Sequence, residues 1–439
     1  MREVPTMRRL VRADPDDRWA AVFGRIAVYS FLVALVSGIL LLPFFQPSMA
    51  PVVYHGSYRK LDGLTVSRAY QSTLNISFDV RSGLLIRQVH HWSADLFVAA
   101  VCLRLIRVFF RGRFRLPDWL IWVGLLLAGM LAGFSGAILP DDMLSGGSLS
   151  VFTGVILSLP LVGTHLEMLI FDGSFPGHVI IPRDYWVHVV VLPVVLGGLL
   201  LLSYRARRPR PLRVRRVDPM LPFTGAVLVA LGALAQINPV WLFGPYQPGS
   251  ISAGSVPDWY MGFLDGALRV MPAWELSIGG HPLSLDVLVP AVIVPGLFFT
   301  LVAAYPLLDG WIAGGRPPRG LLSPKPADPA NRIGVGVAGI TLYGLLWAAA
   351  ANDEIAYHLQ ISLYTVTWVF RVLVLVAPVL AFALTRMICH AVEARRRDEA
   401  EHGIETGRIA MTPDGGFAEI REQVGSRNRN MTSHYAGTP

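Results

Sequence analysis

Between Arg87 and Arg107 an apolar run carries Arg87, His90, His91, Asp95, Arg104 and Arg107. Ionisable groups inside a membrane span are costly and usually face an interior site. A further histidine, His188, stands in Tyr185-Trp186-Val187-His188, near the start of another apolar run. One intramembrane histidine reads most simply as a hydrogen-bonded packing residue. Two, on separate spans and each about a turn from the same boundary, also suit a shared ligand. A haem iron between two neutral imidazoles takes one nitrogen from each side at matching depth. His91 competes with His90 for that place and points about 100° further round the helix.

The elements that must position these residues are membrane helices. The chain has 439 residues, of which 53% are hydrophobic and only 15% charged, with mean hydropathy +0.50. A soluble globular chain is about a quarter charged. Eight runs are long enough for the ~20 residues that cross ~30 Å of hydrocarbon: Ile26–Phe45, Leu84–Ile106, Trp119–Leu139, Trp186–Tyr204, Leu221–Phe243, Leu285–Leu308, Ile333–Ala351 and Thr365–Cys389. The first is not a cleaved signal, because its core is long and Pro43, Phe44 and Phe45 stand where cleavage wants small residues. The fold expected is all-α and polytopic: a four-helix bundle, then a second four-helix half.

Net charge is +8, and its placement sets the orientation. Basic residues crowd 107–118, 205–220 and 309–332, as in Arg111, Arg113, Arg207, Arg208, Arg316 and Lys325. By contrast 140–185 holds only Arg183, 244–284 only Arg269, and 352–364 none. Alternation of this kind places both termini on the cytoplasmic side. The arginine cluster abuts spans and lies in no recognition motif, so nucleic acid is excluded as a partner and membrane lipid is expected. Cys102 and Cys389 both fall in spans, which implies neither a disulfide framework nor a zinc site. No internal repeat is convincing. Ser148–Leu161 is apolar but too short to span, and predicts a helix lying on the membrane surface. The organisation expected is an inner-side segment 1–22, a bundle 23–210, a second half 211–392 and an inner-side tail 393–439, charged and partly disordered.

Several motifs, in order, carry a resemblance. Arg87-Gln88-Val89-His90-His91-Trp92-Ser93-Ala94, Gly133-Phe134-Ser135-Gly136-Ala137-Ile138-Leu139-Pro140-Asp141-Asp142 and Pro257-Asp258-Trp259-Tyr260 are similar to cytochrome b, the membrane subunit of the bacterial quinol:cytochrome c oxidoreductase. Phe175-Pro176-Gly177, Ile181-Pro182-Arg183, Asn352-Asp353-Glu354-Ile355-Ala356 and His402-Gly403-Ile404-Glu405-Thr406-Gly407 extend it from about Phe23 to Glu422. The resemblance implies two stacked b haems in the first four helices, each taking one histidine from the second span and one from the fourth. The outer pair maps onto His90 and His188. Arg87 would then meet a haem propionate, although an interfacial arginine snorkelling to headgroups looks the same in sequence. Gly38 and Gly136 would admit haem edges, with Gly24 a further candidate; helix packing also explains glycine there. Asp258 and Tyr260 would border the site of quinol oxidation, Asp258 taking the quinol proton, though Trp259 and Tyr260 also suit an interfacial aromatic belt. The family often has Glu at 258 and Tyr at 137, where this chain has Asp258 and Ala137.

The departure is sharper than the match. In the family a second histidine lies 14 residues along the second span, about 21 Å lower on nearly the same face. Position 104 is Arg, and positions 202 and 203 on the fourth span are Leu and Ser. Guanidinium offers no lone pair to iron, so two histidines cannot hold an inner haem. Arg104 is then either one more positive-inside residue beside Arg107 and Arg111 or a group that binds a quinone oxygen or lipid phosphate in vacated space. The expectation is one outer haem b, quinol as substrate, and quinol–cytochrome c reductase activity. The partners implied by resemblance are a Rieske iron–sulfur subunit, a cytochrome c subunit and a second copy, in the bacterial plasma membrane. The alternatives are a non-catalytic paralogue that binds quinol or assists assembly, and a transporter, which would want broken helices or an ionisable path through the midplane.

Overall fold

The computed structural model describes residues 18–112, 114–206, 218–250, 258–278, 281–312, 329–411 and 413–422. Residues 1–17, most of the arginine-rich linker at 205–219, Pro257, Arg316, Arg319, Lys325 and the last 17 residues lie outside that set.

The main helices are α1 (Arg18–Leu41), α2 (Arg68–Phe78), α3 (Gly83–Arg111), α4 (Leu116–Ile138), α5 (Met143–Leu157), α6 (Gly163–Phe171), α7 (Ile180–Ala206), α8 (Met220–Leu234), α9 (Gly262–Val270), α10 (Leu285–Ile312), α11 (Pro329–Ala349), α12 (Asn352–Leu359) and α13 (Leu363–His402). Six are long and apolar enough to cross a membrane: α1, α4, α7, α10, α11 and α13. α3 is long enough too, at 29 residues, but carries the charges described above. Large apolar side chains on these helices face outward, Val36, Leu131, Val194 and Leu375 among them. A helix whose backbone bonds are all internal can present such a face to lipid.

Two compact units are present. The first comprises residues 1–327 and 342–375, the second 328–341 and 376–439. In the first, α1 packs along α3, α4 along α7, and α3 against α4. One core joins Phe97, Val101, Leu105, Trp119, Trp122, Leu125 and Leu196, and a second gathers Ile138, Leu149, Phe171 and Ile181 beneath α5 and α6. In the second unit Gly334 lets the helix backbone approach Phe382. That unit also holds an antiparallel hairpin of Ile404–Met411 and Phe417–Glu422. Of the tail expected to be peripheral or partly disordered, α13 takes in the part up to His402 and the hairpin follows, while residues 423–439 lie outside the described set.

Sequence signals set several ends. Ser67 accepts from Tyr70 N and caps α2; Asp142 accepts from Ser145 N at 2.8 Å and caps α5. Gly112, at φ 65°, closes α3 in the left-handed conformation that glycine adopts without strain. The helix expected over Ser148–Leu161 instead runs Met143–Leu157, starting earlier because Asp142 supplies that cap. The expected span Leu221–Phe243 breaks at Leu234. Ala235 is extended, Asn238 has φ 44°, and α3 satisfies the freed backbone groups. Gln88 accepts from Ile237 N at 2.8 Å and donates to Ile237 O at 2.9 Å, while Trp92 Nε1 donates to Ala235 O at 2.8 Å. A non-helical segment inside an apolar protein persists only where such partners exist.

Candidate functional site

α3 and α7 bring His90 and His188 together, with ring centroids 6.0 Å apart and planes at 74°. His188 lies in a π-helical turn, Val187–Val191. Pro193, two residues on, has no N–H for the ordinary ladder, and such turns collect at functional sites.

Each ring is held the same way. His90 Nδ1 donates to Ala34 O at 2.9 Å and lies 3.2 Å from Ser37 Oγ. His188 Nδ1 donates to Ala132 O at 3.1 Å and lies 2.9 Å from Ser135 Oγ. Both histidines stand 56 residues after their carbonyl and 53 after their serine. Gly38 and Gly136 follow those serines: a Cβ at Gly38 would lie 3.0 Å from His90 Cε1, and at Gly136 2.7 Å from His188 Cε1. The bundle is thus a two-fold repeat of α1/α3 and α4/α7, where the sequence had suggested none. Its trace is Ala-x-x-Ser-Gly at 34–38 and 132–136, too short to stand out before the helices are paired.

This arrangement fits a bis-imidazole metal. A carbonyl only accepts, so each Nδ1 carries the proton and each Nε2 keeps its lone pair, the usual condition of a metal-bound histidine. Two nitrogen–metal bonds of about 2.0–2.1 Å, with roughly 1.1 Å from each nitrogen to its ring centre, separate the centroids by about 6 Å. Arg87 adds an unanswered donor: Nη2 donates to Asn238 O at 3.1 Å, while the buried Nε has no partner among the described residues. Arg87, His90, His188, Asp142, Asp258 and Tyr260 all line one cavity of ≈ 280 Å³.

His91 is no competitor for His90. Its Nε2 lies 3.1 Å from Asp258 Oδ1 and 4.0 Å from Asp95 Oδ2. Asp258 Oδ2 accepts from the Tyr260 hydroxyl at 2.7 Å, and Oδ1 from Asn238 Nδ2 at 3.5 Å. Trp259 Nε1 donates to Asp95 Oδ1 at 3.1 Å. These residues therefore turn inward to α3, away from an aromatic belt. Gly133 on α4 leaves the space that the Tyr260 hydroxyl occupies. Burial alone would raise the Asp258 carboxyl; the hydrogen bonds from His91, Tyr260 and Asn238 outweigh it and hold the group below its ordinary range. Burial, then the neighbouring carboxylate, pushes Tyr260 well up, so it remains a donor. His91, Asp95, Asn238 and Gly133 were not among the site residues expected from sequence. His91 and Asp95 were marked only as ionisable groups of a span, His91 also as a rival to His90, and Gly133 only as part of a motif.

Comparison with known proteins follows the same line. A family model described as cytochrome b (N-terminal)/b6/petB matches residues 95–245. The cytochrome b subunit of the cytochrome bc1 complex of Streptomyces coelicolor is 41% identical over 95% of this chain and 81% of its own length. The corresponding subunit of Corynebacterium diphtheriae is 39% identical over 99% and 85%, and that of Mycobacterium tuberculosis 38% over 99% and 83%. A solved chain of a hyperthermophilic respiratory Complex III shares the fold, with TM-score 0.56, 18% identity, and coverage of 84% of this chain and 91% of that one.

Proposed function

Because the chain belongs to the cytochrome b subunits of cytochrome bc1 complexes, quinol:cytochrome c reductases of the membrane, we propose that it oxidises quinol at the outer side with a single b haem held between His90 and His188. The observation that carries this reading is the facing pair of imidazoles, each with Nδ1 turned to a backbone carbonyl and Nε2 left for a metal. When bound, the haem supplies a one-electron acceptor beside the proton-accepting residues. His90 and His188 would hold it, Gly38 and Gly136 would leave room beside those rings, and Arg87 Nε would be free to donate to an acidic group of it.

Asp258 and Tyr260 are the catalytic pair. A quinol hydroxyl donates to the Tyr260 oxygen as Tyr260 passes its own proton to Asp258, so the substrate loses a proton as its electrons leave. His91 and Asn238 hold Asp258 as an oriented carboxylate until then. The electrons pass to one-electron acceptors on the outer side, a Rieske iron–sulfur subunit first and a cytochrome c subunit beyond it. In this reading residues 23–210 form the haem-binding half and 211–392 bring the quinol segment. Residues 1–22 and 393–439 lie on the cytoplasmic side of a bacterial plasma membrane, and a second copy completes the complex.

A reduced-minus-oxidised spectrum with a pyridine haemochrome count tests the core of this. The purified complex should carry b haem, and His90→Ala and His188→Ala should each lose it. Haem retained in both variants, or none in the parent, would sink the reading. A non-catalytic paralogue is the second reading, favoured by Ala137, which lines the cavity where the family has Tyr. Quinol-dependent cytochrome c reduction by the purified complex with its Rieske partner separates the two.

A further inference from the structure

The residues of the outer cradle have counterparts about four turns inward, 14 or 15 residues along each helix and about 21 Å away on nearly the same face. Gly38 answers to Gly24 and His90 to Arg104; Gly136 answers to Trp122 and His188 to Ser203. The carbonyl positions correspond as well, Ala34 to Ala20 and Ala132 to Asp118. If the inner half still held a haem, these positions would offer two imidazoles and two glycines. They offer one glycine and a set of side chains bonded to each other.

Arg104 Nη1 donates to Ala20 O at 2.5 Å, taking the bond that the ring of His90 makes to Ala34. Its Nη2 donates to Asp118 Oδ2 at 3.1 Å, and its guanidinium carbon lies 4.2 Å from the centre of the Trp122 ring. Trp122 Nε1 donates to Ser203 Oγ at 3.1 Å, and Ser203 Oγ donates to Asp118 Oδ1 at 3.4 Å. Arg104, Trp122 and Ser203 are 6%, 3% and 4% exposed. A Cβ at Gly24 would already lie 3.3 Å from Arg104 Nη1 and 3.5 Å from Trp122 Cη2. The indole therefore occupies what a glycine would leave open. The guanidinium has no lone pair for iron, and the serine hydroxyl is already engaged. Cys102 is no substitute: two residues from Arg104, it points about 200° round the helix and packs on the hydrophobic core. Asp118, Ala20 and Trp122 surround Arg104, so it does not face an open quinone or lipid site.

The residues do not fit a second haem, and we infer that the inner half of the bundle is a permanent protein plug in its place. Arg104, Asp118, Trp122 and Ser203 join α3, α4 and α7 as a cofactor would, and Ala20 adds α1. The subunit then offers no cofactor-borne route for an electron from the outer site to the inner face. This rests on the outer-haem reading only for what would travel that route; the plug itself is a statement about four side chains.

The test is haem per chain in the purified complex, by pyridine haemochrome, for the parent, for His188→Ala and for Arg104→His/Trp122→Gly/Ser203→His. The parent should hold one haem and His188→Ala none. The triple variant should rise to two, with a second low-spin b signal, while Arg104→His/Ser203→His with Trp122 kept stays at one. Two haems in the parent, falling to one in His188→Ala, would overturn the plug and leave the outer ligands standing; one haem in the parent that survives His188→Ala would sink the outer reading instead. No haem in the parent would sink the outer reading while agreeing with a closed inner half. The parent and His188→Ala decide the matter even if the triple variant does not fold.

Discussion

His91 places Nε2 3.1 Å from Asp258 Oδ1, while His90, its neighbour in the chain, donates from Nδ1 to Ala34 O. One residue along a helix is about 100° of rotation, so α3 presents one histidine to the facing imidazole and the next to the carboxylate. The facing imidazoles and the hydrogen-bonded pair of Asp258 and Tyr260 are thereby tied to a single helix.

Asp258→Asn keeps the shape of the side chain and removes its capacity to hold a proton. Quinol-dependent cytochrome c reduction should fall by about 10²–10⁴-fold, the usual range for loss of a positioned base, with haem content unchanged. His91→Gln should act more weakly and move the acid limb of the pH–rate profile upward. His91 is one of the donors holding Asp258 low, and without it the carboxyl protonates at higher pH. An unshifted profile would show that His91 does not act through Asp258.

The two cradle glycines should differ in severity. A Cβ at Gly136 would stand 2.7 Å from His188 Cε1, and at Gly38 3.0 Å from His90 Cε1. Overpacking costs about 1–3 kcal/mol, so Gly136→Ala should lower haem occupancy about tenfold or more and Gly38→Ala clearly less. Soret absorbance per chain reads both, and the reverse order would contradict the geometry.

Within the inner cluster, Arg104 and Asp118 should be coupled. Arg104→Met removes the guanidinium that donates to Asp118 Oδ2, and Asp118→Asn removes the negative charge that the guanidinium meets there. Each should cost about 2–4 kcal/mol, near the range for breaking a buried pair. The double variant should cost less than the two together. Denaturation in detergent measures the cycle, and simple additivity would deny the pairing.

Asp141 gives a stability that depends on pH. Burial pushes its carboxyl up from 3.8 to about 6, and the charge of Asp142 adds to the effect. The folded chain therefore holds this proton more tightly than the unfolded chain, and stability falls as pH rises from about 4 through 6. Asn tolerates the left-handed conformation that Asp141 adopts at φ 55°. Asp141→Asn should be more stable than the parent at pH 7.5, by about 2 kcal/mol, and should match the parent near pH 4. Equal melting at both pH values would show that the carboxyl carries no such burden.

If both electrons of a quinol leave on the outer side, proteoliposomes holding the complex should release as many protons outside as electrons reach cytochrome c. A complex that recycles one electron to an inner quinone releases twice as many, because two quinols are then oxidised for each pair of electrons delivered. The higher ratio would require a route past Trp122.

The sequence alone settled what depends on periodicity and residue chemistry. Hydrophobic runs located the spans but not all their ends: α1 begins at Arg18 rather than Ile26, α13 runs to His402 rather than Cys389, and α8 stops at Leu234. The missing histidines at 104 and 203 excluded a bis-histidine inner site, because that follows from which atoms carry lone pairs. Which side chains fill and satisfy a space depends on residues far apart in the chain, and helix pairing decided it. Trp122 looked like one more apolar residue until α4 placed it against Arg104; His91 looked like a spare ligand until Asp258, 167 residues away, came within a hydrogen bond of it. Gln88 and Trp92 likewise became the partners of a broken helix only once α8 lay beside α3. A local pattern fixes where a helix runs and which way each residue points. Only packing chooses what it points at.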